Sequence, residues 1–443
     1  MAKILEVTRP ACAGIDVGSV AVVVGYPDAS VRTFETHTRA FEELIASFRA
    51  VGVSSVAMES TGVYGHVLFD MLREAGLEVF MVNPAQTKSR SGKKTDAHDS
   101  RWIQTLHSID LLDPSFIPEK PLLELRHYVR HREQLIQDKS RQVLNMHKAL
   151  VMMNIRLDTV LSQVHGASGL RMIEAILEGE RDAQRLLELC DTRIQKTKAT
   201  QVLDALNGFY QPQHLFSLRM ALTTYRFIEG AIMDCEAEIE AVYEKLCEPL
   251  ESPAEPLPKA KPIRHNKPQI PKLQTYNWVL AGQRDLTRLP GFTDYTLMQL
   301  MAEVGFNLAA FPSEKHFTSW LGLAPKQHQS GKMSRQARQR SNTRAGQIFR
   351  LIAQSVLTSK NLSIGVWARK IKARKGPAVA IKALARKLAV LFYQALTKGL
   401  VYVEKGIKSY DEQNQKQDIK RLEKMAKKLG FTISQSMPEP KMS

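Results

Sequence analysis

Four carboxylates stand where the sequence pattern predicts strand ends and a helix start. Asp16 closes the apolar strand of GIDVG, and Glu59 closes the strand SSVAMES. Asp96 and Asp99 lie three residues apart in KKTDAHDSRW, which places both on one face of a predicted helix. If the two strands are neighbours in one sheet, their carboxylates emerge at the same edge. Mg²⁺ and Mn²⁺ need several oxygen ligands, so the set predicts a metal site for phosphoryl transfer.

Each part of this set is a weak signal by itself, and simpler interpretations stay open. Many strands end in Asp, and GIDVG also opens sugar-kinase and actin-like folds. Asp96 and Asp99 suit the first turn of a helix, because acids favour the positive end of the helix dipole. The pair is therefore also typical of an ordinary capping turn. The prediction of chemistry depends on all four residues together.

A serine beside a glycine is a second candidate. Ser330 precedes Gly331 in GLAPKQHQSGK, and a serine whose backbone is accessible can attack a phosphate. The same dipeptide is most often a plain turn, and no His or Lys base stands at a diagnostic spacing, although His328 is near. The cations that follow can neutralise a scissile phosphate and its neighbours; they are Lys332, Arg335, Arg338, Arg340 and Arg344.

The positive charge of the chain is concentrated in one segment. The 443 residues carry 62 Lys and Arg against 45 Asp and Glu, a net charge of +17. Between Glu314 and Glu404 there is no acidic residue, while eighteen Lys and Arg recur from Lys315 to Lys398. Such a field attracts polyanions over a Debye length of about 8 to 10 Å. The segment predicts nucleic-acid binding, and a solvated basic surface is the simpler alternative.

The elements that must position these residues first alternate and then become helical. Residues 11–35 read as two or three strands, followed by a helix, the strand that ends at Glu59, a second helix and another strand. This order predicts a mixed sheet with helices on its faces. From Thr95 to about Cys247, apolar residues recur at helical spacing among charges. That pattern predicts either a coiled-coil pair or a plain helical bundle.

A proline-rich segment gives the clearest domain boundary. Seven of the twenty prolines fall between Pro249 and Pro271, a composition that predicts a stiff, extended linker. Beyond it we predict two helices around the Pro-Gly turn of LTRLPGF, either a helix-hairpin-helix or a plain turn, then a polar loop over 326–342 and helices through Lys398. The predicted domains are 1–112 (α/β), 113–248 (all-helical), 249–272 (linker), 273–403 (mainly helical, with Ser330) and 404–443 (charged helical tail).

The Asp-Glu-Asp-Asp series within GIDVG, MESTG and KKTDAHD resembles a known domain. It is similar to the RuvC-like, ribonuclease-H-fold domain of the DEDD insertion-sequence transposases, the family described as bridge-RNA-guided recombinases. Three further segments resemble the second conserved domain of that family: LPGFTDYTLMQLMAEVG, FPSEKHFTSWLGLAPKQHQSGK and SNTRAGQIFRLIAQSV. The resemblance covers most of residues 11–112 and 285–400. It implies an α/β ribonuclease-H-like domain, an all-α middle and a mainly α-helical C-terminal domain.

The resemblance also implies site residues and partners. Ser330 matches the family's catalytic serine in a Leu-x-Pro-x-x-x-x-Ser-Gly loop, which continues here with Lys rather than the commoner Gly. This serine would attack the scissile phosphodiester and form a transient phosphoserine link, aided by Mg²⁺ on the four carboxylates. A noncoding guide RNA, donor and target DNA, and a homodimer or homotetramer are further implications of the resemblance.

Three other functions stay open. A two-metal nuclease or structure-specific resolvase would use the same carboxylates, with Ser330 as a mere turn residue. A sugar-kinase-like or actin-like ATPase needs a second glycine-rich phosphate loop, which the sequence lacks. A non-catalytic nucleic-acid-binding protein would retain only the fold. The sequence has no apolar run of about 18 residues and no signal-peptide pattern, so we expect a cytoplasmic, nucleoid-associated protein without a membrane partner.

Overall fold

The computed structural model of the chain describes residues 6–59, 62–88, 95–248, 253, 256–263, 265–305, 307–325, 327–330, 333–336, 343–359 and 362–431. The chain divides into two compact units, Met1–Ile117 and Pro118–Ser443. The first unit combines a sheet with helices, and the second is mostly helical, which confirms the coarse fold prediction. The domain boundaries that the sequence suggests within the second unit stay predictions.

A five-stranded mixed sheet forms the centre of the first unit. Its strands are β1 (Cys12–Val17), β2 (Ala21–Gly25), β3 (Val31–Glu35), β4 (Ser55–Glu59) and β5 (Glu78–Val82). Their order in the sheet is β3-β2-β1-β4-β5. β2 pairs antiparallel with β1 and with β3, whereas β4 pairs parallel with β1 and with β5. The predicted mixed sheet is confirmed.

Helices cover both faces of this sheet, because its central strands are apolar on both sides. The helices are α1 (Thr38–Val51), α2 (His66–Glu74), α3 (Pro84–Thr87) and α4 (Asp96–Ser108). On one face, Ile15 of β1 packs in a cluster with Leu44 of α1 and Leu72 of α2. On the other face, Ile103 of α4 packs in a cluster with Ala57 of β4. The sheet is thus the middle layer of the unit.

Two long helices, α5 (Lys120–Met152) and α9 (Pro212–Leu246), form an antiparallel pair in the second unit. The ion pairs Arg132–Glu236 and Lys139–Glu229 give the direction, because their residues run in opposite order along the two helices. Three shorter helices pack on one end of the pair; they are α6 (Ala167–Glu178), α7 (Ala183–Glu188) and α8 (Thr192–Leu206). The predicted helix pair corresponds to α5 and α9, and the predicted helical bundle corresponds to α6, α7 and α8, which pack against that pair. Each of the two interpretations therefore holds in part.

Helices also dominate the C-terminal part of the second unit. They are α10 (Leu273–Leu280), α11 (Asp294–Val304), α12 (Glu314–Trp320), α13 (Arg344–Thr358), α14 (Ser363–Lys375), α15 (Pro377–Thr397) and α16 (Leu400–Lys428). Aromatic rings join three of them, because the ring of Phe317 lies 6.2 Å from that of Phe349 and 6.4 Å from that of Phe392, between centroids. The predicted charged terminal helix is present, and it begins at Leu400 rather than at residue 404.

The prediction of a polar loop over 326–342 is wrong for residues 327–330 and 333–336, which form strands. β6 (Gln327–Ser330) and β7 (Met333–Gln336) pair as an antiparallel hairpin. The two strands are separated by two residues, the first of which is Gly331, and such a spacing is typical of a tight hairpin turn. The polar composition of the segment concealed this signal.

The described part of the proline-rich segment is non-helical, as its prolines predict. Its last residues do not act as a free spacer, because Pro268 and Ile270 are buried. Between them, the backbone N–H of Gln269 donates a hydrogen bond to Glu236 of α9. Among the described helices of the chain, none has the length and apolarity that a membrane crossing requires.

Candidate active site

Asp16 and Glu59 hold neighbouring positions at the carboxyl ends of β1 and β4. The two strands are parallel, and their register sets Gly14 beside Ala57. The last strand pair in this register is Ile15 with Met58, and continuing the register by one residue sets Asp16 beside Glu59. Because side chains alternate along a strand, both carboxylates lie on the sheet face that carries Gly14. The strands are therefore neighbours, as a shared carboxylate edge requires.

Helix α4 approaches this face closely at two glycines. A Cβ atom on Gly14 would come closer than 3 Å to backbone atoms of Ser100 and Gln104. A Cβ atom on Gly25, which pairs with Gly14 across β1 and β2, would lie 2.9 Å from the carbonyl oxygen of Ser100. The two glycines therefore allow the helix backbone to rest directly on the strands.

The direction of α4 places its acidic first turn near the same edge. Ser100 lies over Gly14, and His107, farther along the helix, hydrogen-bonds Ser55 at the amino end of β4, with 2.8 Å between Nε2 and Oγ. α4 thus runs antiparallel to β1 and β4, and its first turn points toward their carboxyl ends. The elements bring all four predicted carboxylates to one edge of the sheet. We call this the carboxylate edge; its residues are Asp16, Glu59, Asp96 and Asp99.

Thr95, rather than an aspartate, caps α4. Its side chain accepts a hydrogen bond from the backbone N–H of His98 at 3.3 Å. Asp96 is exposed, and Asp99 is half-buried with its Oδ1 3.8 Å from Nδ1 of His98. The capping interpretation therefore applies to Thr95, a residue that the sequence reasoning missed although Thr before a helical run is a common cap. The two carboxylates still favour the positive helix end.

Glu59 accepts a hydrogen bond that the sequence did not predict. Oγ1 of Thr87 lies 2.5 Å from Oε2 of Glu59. The sequence NPAQTKSR holds no signal for this contact, because the contact depends on how α3 folds back after β5. Thr87 is therefore an addition to the candidate site.

The chemistry of the donor set fits a hard divalent cation, since all four ligands would be carboxylate oxygens. Within the described residues, no group of three or more His, Cys, Asp or Glu side chains is arranged to hold a metal ion. The backbone elements thus gather the four residues at one edge, and their assignment as metal ligands stays a prediction.

The predicted nucleophile belongs to the second unit. Ser330 is the last residue of β6, and in the same hairpin Arg335 is the strand partner of His328. Three predicted phosphate-binding cations lie outside the described residues; they are Lys332, Arg338 and Arg340. The roles of the serine and of these cations therefore stay predictions.

Arg344, the first residue of α13, contacts a carboxylate. Its Nη1 lies 3.9 Å from Oε2 of Glu133, which also accepts a hydrogen bond from Gln299. Burial raises the pKa of Glu133, and the bond from Gln299 opposes that shift. Because the Arg344 side chain is 53% exposed and the contact is long, the ion pair is weak, and a phosphate would compete for this cation.

The Pro290–Gly291 turn lacks the first of its two expected helices. A 3₁₀ turn, Leu286–Arg288, precedes it, and α11 follows. Gly291 has a φ of +82°, a conformation that glycine adopts without strain. The prediction of a helix directly before the turn is wrong, because the segment Leu286–Arg288 forms only one 3₁₀ turn. The plain-turn interpretation is therefore favoured over a helix-hairpin-helix.

Two family models match the chain. Residues 13–155 match a model described as a transposase of the DEDD type of IS110, and residues 283–365 match one described as a transposase of the IS116/IS110/IS902 family. The first match includes the whole carboxylate edge, and the second includes Ser330. No curated protein shows significant similarity to the chain.

These matches, together with the mixed sheet and its carboxylate edge, define a DNA-processing enzyme of the transposase class. Both matched segments are transposase domains of one family. The chain carries IS110-family transposase domains and is a DNA transposase of an insertion sequence.

Proposed function

We propose that this transposase cuts and rejoins DNA strands with Ser330 as the nucleophile and with a Mg²⁺ site at the carboxylate edge. The observation that carries the proposal is the parallel register of β1 and β4, which ends at Ile15 with Met58 and, continued by one residue, sets Asp16 beside Glu59. The acidic first turn of α4 lies toward the same edge. The mixed sheet between helix layers also supports a ribonuclease-H-like fold for the first unit.

The serine reaction is a transfer in two balanced steps. Oγ of Ser330 attacks the phosphorus of the scissile phosphodiester and loses its proton, the bond to the leaving strand breaks, and that strand gains a proton and departs as a hydroxyl. The other strand end stays on Ser330 as a phosphodiester. A hydroxyl of a second strand then attacks this link, restores the serine and forms the new junction. No phosphodiester bond is lost in total, so no ATP is needed.

The remaining residues hold the phosphate groups and the metal. The metal ligands would be Asp16, Glu59, Asp96 and Asp99. When bound there, Mg²⁺ or Mn²⁺ supplies Lewis-acid polarisation of the scissile phosphate and favours the loss of the serine proton. The cations that hold the phosphates are Lys332, Arg335, Arg338, Arg340 and Arg344.

Nucleic acids are the proposed partners. The acid-free segment between Glu314 and Glu404 supports binding of donor and target DNA, and its charge suits a guide RNA encoded by the element. We include a homodimer or homotetramer at the nucleoid in the proposal, because strand exchange joins two cut sites.

Recombination in cells tests the proposal. Wild type, Ser330→Ala and Asp16→Ala are each supplied with the native flanking DNA, and the junctions that form are counted by sequencing. We expect both substitutions to lower junction counts by about a thousandfold or more, because each removes a group that the transition state needs. Ser334→Ala, on β7 of the same hairpin, is the matched control and should recombine like wild type.

The pattern of losses separates the alternatives. If Ser330→Ala recombines normally while Asp16→Ala does not, the serine has no catalytic role and the protein acts through the carboxylates alone, as a two-metal enzyme does. If Asp16→Ala also recombines normally, the carboxylate edge has no catalytic role and the proposal is wrong.

A further inference from the structure

The hydroxyl of Thr87 donates a hydrogen bond to the carboxylate of Glu59. Thr87 is 7% exposed, and its Oγ1 lies 2.5 Å from Oε2 of Glu59 and 3.2 Å from the carbonyl oxygen of Pro84. A hydroxyl has one proton, and the nearer, charged acceptor takes it. Because so little of Thr87 is exposed, water hardly competes for this bond. One oxygen of Glu59 is thus held in place by a neutral donor.

The path of the chain after β5 brings Thr87 to this position. Val82, the last residue of β5, is the strand partner of Glu59. Asn83 follows directly and caps α3, since its Oδ1 accepts the backbone N–H of Ala85 at 2.9 Å. One helical turn then carries Thr87 back over the end of β4. The contact is a product of the sheet register and of this cap.

A second contact also holds α3 in place. Gln86 exchanges two hydrogen bonds with the backbone of Asp113, one from Nε2 to the carbonyl oxygen at 3.2 Å and one from the backbone N–H to Oε1 at 2.9 Å. Asp113 belongs to the segment that follows α4. α3 is therefore tied to Glu59 at the end of β4 and to Asp113 after α4. Thr87 thus presents its hydroxyl from a fixed backbone.

A neutral donor is suited to a carboxylate that has to bind a cation. An arginine or lysine in place of Thr87 would neutralise Glu59 and compete with a metal ion. Without any donor, the carboxylate would rotate among several rotamers. The threonine hydroxyl fixes one rotamer, keeps the full negative charge and leaves the second oxygen for ligation.

We propose that Thr87 is a positioning residue that orients the Glu59 carboxylate for divalent-metal binding. This inference rests on the proposed function, in which Glu59 is a metal ligand. Thr87 acts through Glu59 and touches neither the metal nor the DNA.

Mn²⁺ binding to the full-length protein, followed by electron paramagnetic resonance without nucleic acid, tests the role. We expect Thr87→Val, which keeps the shape and removes the hydroxyl, to weaken Mn²⁺ binding about tenfold. Thr87→Ser restores the hydroxyl and should bind within about twofold of wild type. Thr105→Val is the matched control, because Thr105 donates only to the carbonyl oxygen of Arg101 within α4. If Thr87→Val does not fold, Thr87→Ala gives the same comparison.

The variants also separate this inference from the proposed function. Equal Mn²⁺ binding by wild type and Thr87→Val, while Glu59→Gln binds Mn²⁺ more weakly, would overturn the role of Thr87 alone. Equal binding by wild type and Glu59→Gln would remove Glu59 from the ligands and overturn both. In the Glu59→Gln background, Thr87→Val should have no further effect, and an additional loss would show that Thr87 does not act through Glu59.

Discussion

Gly14 is the residue on which the geometry of the carboxylate edge depends most directly. It lies two positions before Asp16 and directly beneath the backbone of α4 at Ser100 and Gln104. Backbone atoms of a packed helix cannot rotate aside as a side chain can. A methyl group at this position would therefore move the whole helix, and its acidic first turn with it.

Gly14→Ala should lower the free energy of unfolding by about 1 to 3 kcal/mol, the usual range for an overpacked core. Chemical denaturation monitored by circular dichroism measures the change. Gly230→Ala is the matched control, because Gly230 lies in α9 with open space around its position, and alanine there should stabilise the helix by about 0.5 to 1 kcal/mol. A Gly14→Ala protein as stable as wild type would show that α4 is not pressed against β1.

The contact of α4 with β4 contains a buried histidine. His107 is fully buried, its Nε2 hydrogen-bonds Ser55, and its Nδ1 has no hydrogen-bond partner. Burial lowers the pKa of His107 to about 4, and the nearby Arg9 adds to the shift. The helix is therefore seated on the sheet through a neutral imidazole.

The stability of this contact should fall as the pH falls from about 6.5 to about 4. In that window the unfolded chain binds a proton at His107 and the folded chain does not, so acid favours unfolding. Above about pH 6.5 both states are neutral and this contribution is complete. Denaturation of wild type and His107→Asn at a series of pH values should show a flatter acid slope for the variant. Gly230→Ala changes no ionisable group and should retain the wild-type slope, and an unchanged slope in His107→Asn would contradict the argument.

The sequence predicts some features of the fold and of the candidate site and misses others. The strands, the mixed character of the sheet and the long helices follow from local periodicity and from the order of elements along the chain, and so does the placement of Asp16 and Glu59 at strand ends. The order of the strands within the sheet does not follow from them, because strand pairing joins segments that are far apart in the chain. The β6–β7 hairpin was concealed because its strands are polar. The bond from Thr87 to Glu59 could not be predicted, because it joins residues 28 positions apart through a turn whose direction depends on its cap.

At the scale of the whole molecule, the charge count overstates how many cations of the acid-free segment can bind phosphate. Arg369 donates to the carbonyl oxygens of Leu357 and Ser359 and so stabilises the end of α13. Nζ of Lys387 lies 4.8 Å from the ring centre of Trp367. Exposed cations at the end of α14, including Arg374 and Lys375, are better placed to contact a nucleic-acid backbone.

Substituting Arg374 and Lys375 by Gln should weaken DNA binding equally for all sequences and make it less dependent on salt. Each lost phosphate contact lowers the slope of log affinity against log salt by about 0.9. Fluorescence anisotropy with one duplex at several salt concentrations measures this slope. Arg193→Gln with Lys196→Gln removes two exposed cations of α8 and should leave the slope unchanged. Equal slopes for both double variants would place the DNA elsewhere.

The end of the proline-rich segment is fastened to the helix pair. Arg132 is 1% exposed and donates to Glu236 at 2.7 Å and to the carbonyl oxygen of Asn266 at 2.8 Å, while Glu236 also accepts the backbone N–H of Gln269. Covalent continuity through residues 256–263 is therefore not what holds the C-terminal helices to α5 and α9. A proteolytic nick in that stretch would leave the two fragments associated as a stable non-covalent complex.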